Sequence, residues 1–310
     1  MVRWRSYGLR REVMKKTLGF IGLGIMGKPM AKNLLKAGFP MVAFDLNKNA
    51  VEDVVNAGAL AASSSKEVAG RVDVIITMLP DSPDVKQVIL GKEGVLEGIK
   101  PGSTVIDMSS INPLVSQEIE KELRRKGVEM LDAPVSGGET GAIQGTLAIM
   151  VGGEEKVFNE SMEIFKAVGR NIVHVGKIGA GGFVKLVNQI IVAANIAAVG
   201  EAFTLGAKAG LDPQVIHQAI RGGLAGSSVL ETKAPMMFGR NFKAGFKIKL
   251  HHKDLQNALS TAKDLGVPLP LSSFIQQIFL SLMTEGRGEE DHSALATFFE
   301  KMAKVEIKSK

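Results

Sequence analysis

The stretch LGFIGLGIMGKPMAKNL, residues 18–34, joins an apolar run, a glycine-rich turn and a helical pattern. Its turn has the spacing G-x-G-x-x-G, in which the first glycine permits a tight turn, the second lets a pyrophosphate approach the backbone, and the third lets the helix pack on the strand. Free N–H groups at the start of the helix favour an anion. The stretch predicts a dinucleotide-binding turn whose contacts come from Gly22, Leu23, Gly24, Ile25, Met26 and Gly27.

A second apolar run ends in Asp45, 18 residues beyond Gly27. An acid at this position can accept hydrogen bonds from both ribose hydroxyls of NAD. Its charge repels the additional phosphate of NADP, and no arginine follows that could receive this phosphate, since Lys48 is the nearest cation. We therefore expect NAD as the cofactor, with NADP as the alternative.

Apolar runs and helical patterns alternate through the first half of the chain, which predicts a parallel sheet covered by helices. The expected strands are 18–22, 41–45, 73–79, 104–109, 128–134, 147–153 and 172–176. Beyond Gly176 the strand signal ends, and helical patterns follow at 180–209, 212–222, 227–238, 246–265, 268–285 and 291–305. The predicted fold is α/β, with a Rossmann-type dinucleotide-binding domain at 15–177 and an all-α domain at 178–310, linked by a long helix.

The long helix that begins near residue 180 is apolar except for one stripe. At 100° per residue, Lys185, Asn188, Gln189 and Asn195 lie within an arc of about 120°. A polar stripe on a buried helix needs partners or a purpose. It is either a polar seam between the domains or a lysine acid that faces the cofactor, because burial can lower a lysine pKa towards neutrality.

Further candidates follow the predicted strands, where open parallel sheets bind ligands. Residues 78–80 and Ser110 would line the cofactor, and the loop 136–138 exposes backbone N–H groups beside a hydroxyl, as an anion cradle does. Each of these segments is also compatible with ordinary turn chemistry. A polar cluster, HHKD at 251–254, lies in a later helix. The residues singled out here are Met78, Leu79, Pro80, Ser110, Ser136, Gly137, Gly138, Lys253 and Asp254.

Composition excludes several classes of function. The chain has no cysteine and five histidines, of which the adjacent pair would point to different helix faces, so we predict no metal site. The net charge is +6, and residues 1–13 hold four arginines against one glutamate, which accounts for half of the excess. No basic stripe with interleaved aromatic residues is present, so we expect no nucleic-acid partner.

The remaining expectations concern location. The leader, residues 1–14, is too short and too polar for a secretory signal. It is either a short organellar presequence or a segment that precedes the natural start at Met14, and we expect it to be disordered. Asn188, Gln189, Asn195 and Glu201 interrupt the apolar segment 186–210, which favours a buried helix over a membrane span. We therefore expect a cytoplasmic protein without a membrane partner.

Four segments, in the same order along the chain, make the sequence resemble the β-hydroxyacid dehydrogenases, the family of 3-hydroxyisobutyrate dehydrogenase. FIGLGIMGKPMAKNL matches the N-terminal signature, and DAPVSGG matches the substrate-binding signature. GAGGFVKLVNQ matches the lysine-bearing segment, and Phe246 with Asp254 matches the C-terminal signature. The resemblance extends from residue 15 to about 307.

The resemblance implies roles for individual residues. Lys185 would give a proton to the carbonyl oxygen, and Ser136, Gly137 and Gly138 would hold the substrate carboxylate and hydroxyl. Phe246 and Asp254 would close the site, Lys253 would lie near the cofactor, and Ser110 would touch its nicotinamide half. Many members carry asparagine four residues after the lysine, where this chain has Gln189, so the resemblance leaves open whether Asn188 or Gln189 contacts substrate.

Within the family, IITMLPDSPDVKQV, IRGGLAGSSVL and DHSALATFFEKMAKVE are most similar to the tartronate semialdehyde reductase subgroup. This resemblance implies reversible reduction of tartronate semialdehyde (2-hydroxy-3-oxopropionate) to D-glycerate with NADH. The alternatives are 3-hydroxyisobutyrate dehydrogenase, a glyoxylate or succinic semialdehyde reductase and, more remotely, a dinucleotide-binding module without catalysis. The family is commonly dimeric or tetrameric, so we expect a homodimer or homotetramer, in which segment 268–283 packs between subunits.

Overall fold

A computed structural model describes residues 15–309, so the expectation for the leader lies outside the described residues. One nine-stranded sheet occupies the N-terminal part. Its strands are β1 (Leu18–Ile21), β2 (Met41–Phe44), β3 (Leu60–Ala61), β4 (Val74–Thr77), β5 (Thr104–Asp107), β6 (Glu129–Asp132), β7 (Val135–Ser136), β8 (Leu147–Gly152) and β9 (Gly169–Gly176).

The strand order is β3-β2-β1-β4-β5-β6-β8-β7, with β9 also paired to β8. The first six strands of this order are parallel, and the direction of winding reverses between β1 and β4. Such a reversal opens a crevice at the carboxyl ends of the strands, where ligands bind. The predicted Rossmann-type α/β fold is confirmed.

The far end of the sheet differs from the all-parallel prediction. Strand β8 runs antiparallel to both β6 and β7, while β9 is parallel to β8. The two-residue strands β3 and β7 were also absent from the prediction, because a pair of residues carries no period that a sequence pattern can show.

Helices cover the sheet and build the C-terminal part. In the N-terminal part they are α1 (Gly27–Lys36), α2 (Lys48–Val55), α3 (Ser65–Arg71), α4 (Ser82–Leu90), α5 (Val95–Gly98), α6 (Pro113–Arg125), α7 (Gly138–Gln144), α8 (Glu155–Glu160) and α9 (Met162–Val168). They are followed by α10 (Ala180–Lys208), α11 (Pro213–Ile220), α12 (Ser228–Phe238), α13 (Ile248–Asp264), α14 (Pro270–Thr284), a short 3-10 helix (His292–Leu295) and α15 (Ala296–Ala303).

Helix α10 connects the two parts of the molecule. It contacts β8 and β9 of the sheet and also α12, α13 and α15 of the helical part. In the described part of the chain it is the one helix long and apolar enough to cross a membrane by length and composition. Four of its buried residues, Ala193, Ile196, Ala197 and Phe203, belong to the apolar core of the helical part, which is the packing of a core helix.

Candidate active site

The glycine-rich turn between β1 and α1 has the shape that a pyrophosphate requires. Gly22 has a φ of +97°, and a Cβ on it would overlap the carbonyl oxygen of Met78. A Cβ on Gly27 would overlap the carbonyl oxygen of Gly22. A Cβ on Gly24 would have no atom within 4 Å, so open space adjoins the start of α1. The turn therefore fits a dinucleotide.

This contrast gives a prediction for two glycine variants. Gly27→Ala should destabilise the protein itself by several kcal/mol, because the new methyl group overlaps backbone. Gly24→Ala should melt at the wild-type temperature and yet bind NADH at least about tenfold more weakly, because its methyl group takes the space of the pyrophosphate. Thermal melts and NADH fluorescence titration test both, and equal melting temperatures for the two variants would contradict the assignment.

Asp45 is fixed at the carboxyl end of β2. Its Oδ2 accepts a hydrogen bond from the backbone N–H of Leu23 at 2.6 Å, and its Oδ1 accepts one from Asn47 at 2.7 Å. Both oxygens keep lone pairs for further donors. The carboxylate is thus a preorganised acceptor for ribose hydroxyls beside the glycine-rich turn.

A buried carboxyl group that the sequence did not single out links the loops after β4 and β5. Asp107 Oδ1 accepts hydrogen bonds from Thr77 Oγ1 at 2.8 Å and from the Ser109 backbone at 3.1 Å. Ser109 Oγ in turn accepts from the Leu79 backbone at 2.9 Å. Burial raises the pKa of Asp107. An aspartate inside the apolar run TVIDMS was the available signal for this group.

Those linked loops carry the predicted cofactor-lining residues. Met78 and Leu79 are half-buried and Pro80 is exposed. Ser110 is half-buried, and its carbonyl oxygen accepts a hydrogen bond from Lys253 Nζ of α13 at 2.6 Å. The helical part therefore touches the edge of the sheet at the position where the nicotinamide half is expected.

The loop at 136–138 faces the helical part as well. Gly137 and Gly138 have φ values of +139° and +62°, which non-glycine residues rarely adopt. A Cβ on Gly138 would lie 4.0 Å from the carbonyl oxygen of Gly245. The loop with Ser136 thus lies next to the segment that carries Phe246.

Lys185 is 7% exposed and lies on the second turn of α10. It makes none of the side-chain hydrogen bonds or ion pairs found among residues 15–309. Burial lowers the pKa of Lys185 to about 8, while the charge of Asp254 raises this pKa and that of Lys253 lowers it further. A lysine with a pKa near neutrality can act as a general acid or base.

A polar network connects α10 to α13 next to this lysine. Asn188 donates to Gln189 Oε1 at 3.0 Å, and Gln189 Nε2 donates to Asp254 Oδ2 at 2.5 Å. Asp254 is 3% exposed and pairs with Lys253 at 2.8 Å. The structure thus joins Asn188 and Gln189 of the predicted stripe to Asp254, and Gln189, rather than Asn188, makes the direct contact with this carboxylate.

The segment that carries Phe246 is fixed by hydrogen bonds and contacts with residues that sequence reasoning missed. Asp291 accepts hydrogen bonds from the backbones of Gly245 at 2.9 Å and Phe246 at 3.0 Å, and it pairs with Lys233 at 3.0 Å. The ring of Phe246 lies beside His292, with centroids 5.4 Å apart. Isolated polar residues in helical patterns gave no signal for this arrangement. Within residues 15–309, no group of three or more His, Asp or Glu side chains is placed to hold a metal ion.

Comparisons with known proteins identify the family of this chain. Residues 17–176 match the family model for the NAD-binding domain of 6-phosphogluconate dehydrogenase, and residues 179–299 match the model for the NAD-binding region of NADP-dependent 3-hydroxyisobutyrate dehydrogenase. The chain is 44% identical to 2-hydroxy-3-oxopropionate reductase of Escherichia coli over 92% of this chain and 98% of that protein. The chain belongs to the 3-hydroxyisobutyrate dehydrogenase family.

Two further relatives show how the family varies. The chain is 42% identical to 2-(hydroxymethyl)glutarate dehydrogenase of Eubacterium barkeri over 94% of this chain and 97% of that protein. The structure of Mycobacterium tuberculosis 3-hydroxyisobutyrate dehydrogenase with L-serine superposes with a TM-score of 0.86 at 32% identity, over 92% of this chain and 99% of that chain. Family membership makes this protein an NAD(P)-dependent oxidoreductase that acts on CH–OH groups, as the sequence predicted, rather than a non-catalytic module.

Proposed function

We propose that this member of the family reduces tartronate semialdehyde to D-glycerate with NADH, and that Lys185 is the general acid. The observation that carries the reaction type is the buried Lys185, whose pKa is lowered to about 8 and which lies next to Asp254. The relative at 44% identity named 2-hydroxy-3-oxopropionate reductase supports the substrate. The relative at 42% identity acts on a different hydroxy acid by its name, so the substrate needs an experiment of its own.

Bound NADH would supply a hydride to the aldehyde carbon. The oxygen of that carbonyl then gains negative charge, and the Lys185 ammonium donates a proton to it to complete the alcohol. In the reverse direction the neutral amine accepts the proton from the hydroxyl. The burial of Lys185 makes both directions accessible near neutral pH, because the ammonium form is no longer strongly preferred.

The cleft walls would orient the substrate. In this proposal the hydroxyl of Ser136 and the backbone N–H groups of Gly137 and Gly138 hold the carboxylate, as positive φ values direct successive N–H groups to one side. Phe246 would exclude water from the opposite side. Gln189, with Asn188 bonded to it, would orient the substrate hydroxyl from α10.

The cofactor would span the edge of the sheet. The turn at residues 22–27 would hold the pyrophosphate, and Asp45 would accept the adenosine ribose hydroxyls. Met78, Leu79 and Pro80 would line the dinucleotide, while Ser110 and Lys253 would adjoin its nicotinamide half. Lys253 contacts both Ser110 and Asp254, which supports the proposal that this cation lies between the cofactor and the substrate.

A steady-state panel tests the substrate. The aldehydes are tartronate semialdehyde, glyoxylate and succinic semialdehyde with NADH, and 3-hydroxyisobutyrate is assayed with NAD in the opposite direction. We expect the highest kcat/KM for tartronate semialdehyde, by at least about tenfold, since a pocket discriminates one methylene by roughly 1–3 kcal/mol. A higher value for another compound would reassign the substrate within the family, and no turnover of any of the four would refute the proposal.

The rate should depend on pH in opposite ways for the two directions. Reduction needs the protonated Lys185, so its kcat should fall as the pH rises through about 8, and kcat for D-glycerate oxidation should rise through the same pH. Initial rates at saturating cofactor between about pH 6 and pH 10 measure both. Reduction that stays constant or accelerates above pH 8 would contradict a lysine acid.

We also propose that the protein assembles as a homodimer or homotetramer. On α14, within the segment 268–283, Leu271 and Phe274 are 57% and 58% exposed, whereas Ile275 and Phe279 on the other face are buried. On α10, Ile191 is 54% exposed. Exposed apolar side chains of this size on regular helices suit a subunit interface. Light scattering of the purified protein tests this, and a monomeric mass at micromolar concentration would refute it.

The cytoplasm is the location we propose for this activity. Its apolar helix α10 packs against the sheet and the other helices of the same chain, and the relative with 44% identity is bacterial. Cell fractionation with immunodetection tests the proposal, and recovery of the protein in the membrane fraction would contradict it.

A further inference from the structure

Asp132, the last residue of β6, is a buried carboxyl group with no part in the reaction proposed above. It is 2% exposed. Its Oδ1 accepts a hydrogen bond from the backbone N–H of Gly179 at 2.7 Å, and its Oδ2 accepts one from Gly182 at 2.7 Å. Both donors belong to the beginning of α10, the helix that carries Lys185.

The start of α10 depends on this carboxylate. The first N–H groups of a helix have no partner within the helix and are usually capped by the side chain that precedes it. Here the preceding residue is Gly179, which has no side chain, so the cap comes from the sheet. A negative charge at the N-terminus of a helix also interacts favourably with the helix dipole.

Close packing makes the arrangement specific. A Cβ on Gly181 would overlap the carbonyl oxygens of Met150 and Asp132, and a Cβ on Gly152 would overlap Asp132 Oδ1. Glycine at these two positions allows the start of α10 to pack directly against β8 and against the last residue of β6. The two hydrogen bonds and this contact hold both the depth and the rotation of the first turn of α10.

Lys185 follows Gly182 by three residues, so its side chain lies one turn further along nearly the same face of the helix. We propose that Asp132 is a positioning residue for the reaction, because it sets the rotation and depth of α10 at which Lys185 Nζ meets the substrate oxygen. This proposal rests on the proposed role of Lys185. Displacement of a catalytic group by about 1 Å can cost about 10²-fold in rate.

The effect of Asp132 should be geometric rather than electrostatic. The charged groups that shift the pKa of Lys185 are Asp254 and Lys253. Burial raises the pKa of Asp132 itself to about 7, so the pH profiles are compared above that pH, where the carboxylate is ionised. There, loss of the Asp132 charge should lower the rate of the proton transfer without moving the pH near 8 at which this rate changes. A shift of that pH would be the signature of an electrostatic role instead.

The test uses Asp132→Asn, which keeps the size of the side chain but turns one acceptor into an NH₂ group that faces an N–H. We expect kcat to fall by about 10- to 100-fold, while the Kd for NADH and the midpoint of the pH profile stay the same. Asp132→Glu, which restores the charge with one more methylene, should stay impaired. Recovery in the glutamate variant, or a kcat for the asparagine variant within about twofold of wild type, would overturn the proposal.

Asp107→Asn is the matched control. Asp107 pairs with Asp132 in register on the neighbouring strand and is equally buried, but its oxygen holds the loops after β4 and β5. This variant should raise the Kd for NADH more than it lowers kcat, the reverse of Asp132→Asn. Identical kinetic changes in the two variants would show a general disturbance of the sheet edge and would overturn the positioning role.

The double variant Lys185→Ala with Asp132→Asn separates this proposal from the proposed function. If Asp132 acts through Lys185, the double variant should be no slower than Lys185→Ala alone. Normal turnover of Lys185→Ala would refute the role of the lysine itself. An inactive Lys185→Ala together with a fully active Asp132→Asn would refute only the role of Asp132. Thermal melts of every variant confirm that kcat is calculated for folded protein.

Discussion

Replacement of Lys185 by alanine or methionine is expected to lower kcat by about 10³-fold or more while NADH still binds with nearly wild-type affinity. General acids contribute roughly 10²- to 10⁴-fold in rate, and correct placement of the substrate cannot replace the missing proton donor. The hydride cannot be transferred efficiently when the developing oxyanion has no acid beside it. Stopped-flow turnover at saturating NADH measures the rate, and fluorescence titration measures the Kd.

Lys208→Ala is the matched control for this result. Lys208 is the last residue of the same helix, is exposed, and donates a hydrogen bond to the carbonyl oxygen of Ala303, far from the sheet. Its replacement should leave kcat within about twofold. A Lys185→Ala variant that retains a tenth or more of the wild-type kcat would exclude Lys185 as the acid.

Burial of Lys185 should lower the free energy of unfolding of the wild-type protein. The stability of the Lys185→Met variant therefore gives a second measurement. The folded-state pKa of Lys185 is about 8 against an ordinary value of 10.5, so folding disfavours the ammonium form. The cost is fully present below pH 8 and disappears as the pH rises past 10.5. The free energy of unfolding of Lys185→Met should therefore exceed that of the wild type by about 1–3 kcal/mol at pH 7, and this difference should shrink at high pH. Wild-type stability at or above that of the variant at pH 7 would contradict a strained lysine.

Local signals were sufficient for most of the fold. The glycine spacing at 22–27 and the acid at Asp45 indicated the dinucleotide-binding half, because only a few backbone conformations satisfy both. The helical pattern at 212–222 indicated α11, which begins at Pro213 and is capped by Asp212. The antiparallel direction of β8 was missed, because strand direction depends on partners that are remote in sequence and leave no local pattern.

The site could be predicted only where a residue stands out from its own segment. Lys185 interrupts an apolar sequence, so the helical period of the polar stripe that contains it was visible. Asp132 lies inside the signature DAPVSGG, but nothing local shows that its carboxylate caps a helix that begins 48 residues later at Ala180. Asp291 likewise acts on the backbone of Phe246, and such contacts of a side chain with a distant backbone leave no trace in composition or period.

Asp45→Asn is expected to change the choice of cofactor, with a shift of about 10²-fold in the ratio of kcat/KM for NADPH to that for NADH. The asparagine keeps the size and one acceptor of the aspartate, but it removes one negative charge and turns an NH₂ group towards the backbone N–H of Leu23 or Asn47. Two unit charges about 4 Å apart near a protein surface interact by roughly 4 kcal/mol at an effective dielectric constant of 20, and screening by salt reduces this value. The variant should accept NADPH better and bind NADH more weakly, because neutral amides are poorer acceptors for ribose hydroxyls than carboxylates are.

Asp264→Asn separates this local effect from a change in net charge. Asp264 is the last residue of α13, is exposed, and makes none of the ion pairs found among residues 15–309. The same loss of charge there should leave the cofactor ratio within about twofold. If both variants shift the ratio equally, the general field of the protein selects the cofactor. A shift confined to Asp45→Asn would show that selection depends on the carboxylate that Leu23 and Asn47 hold in place.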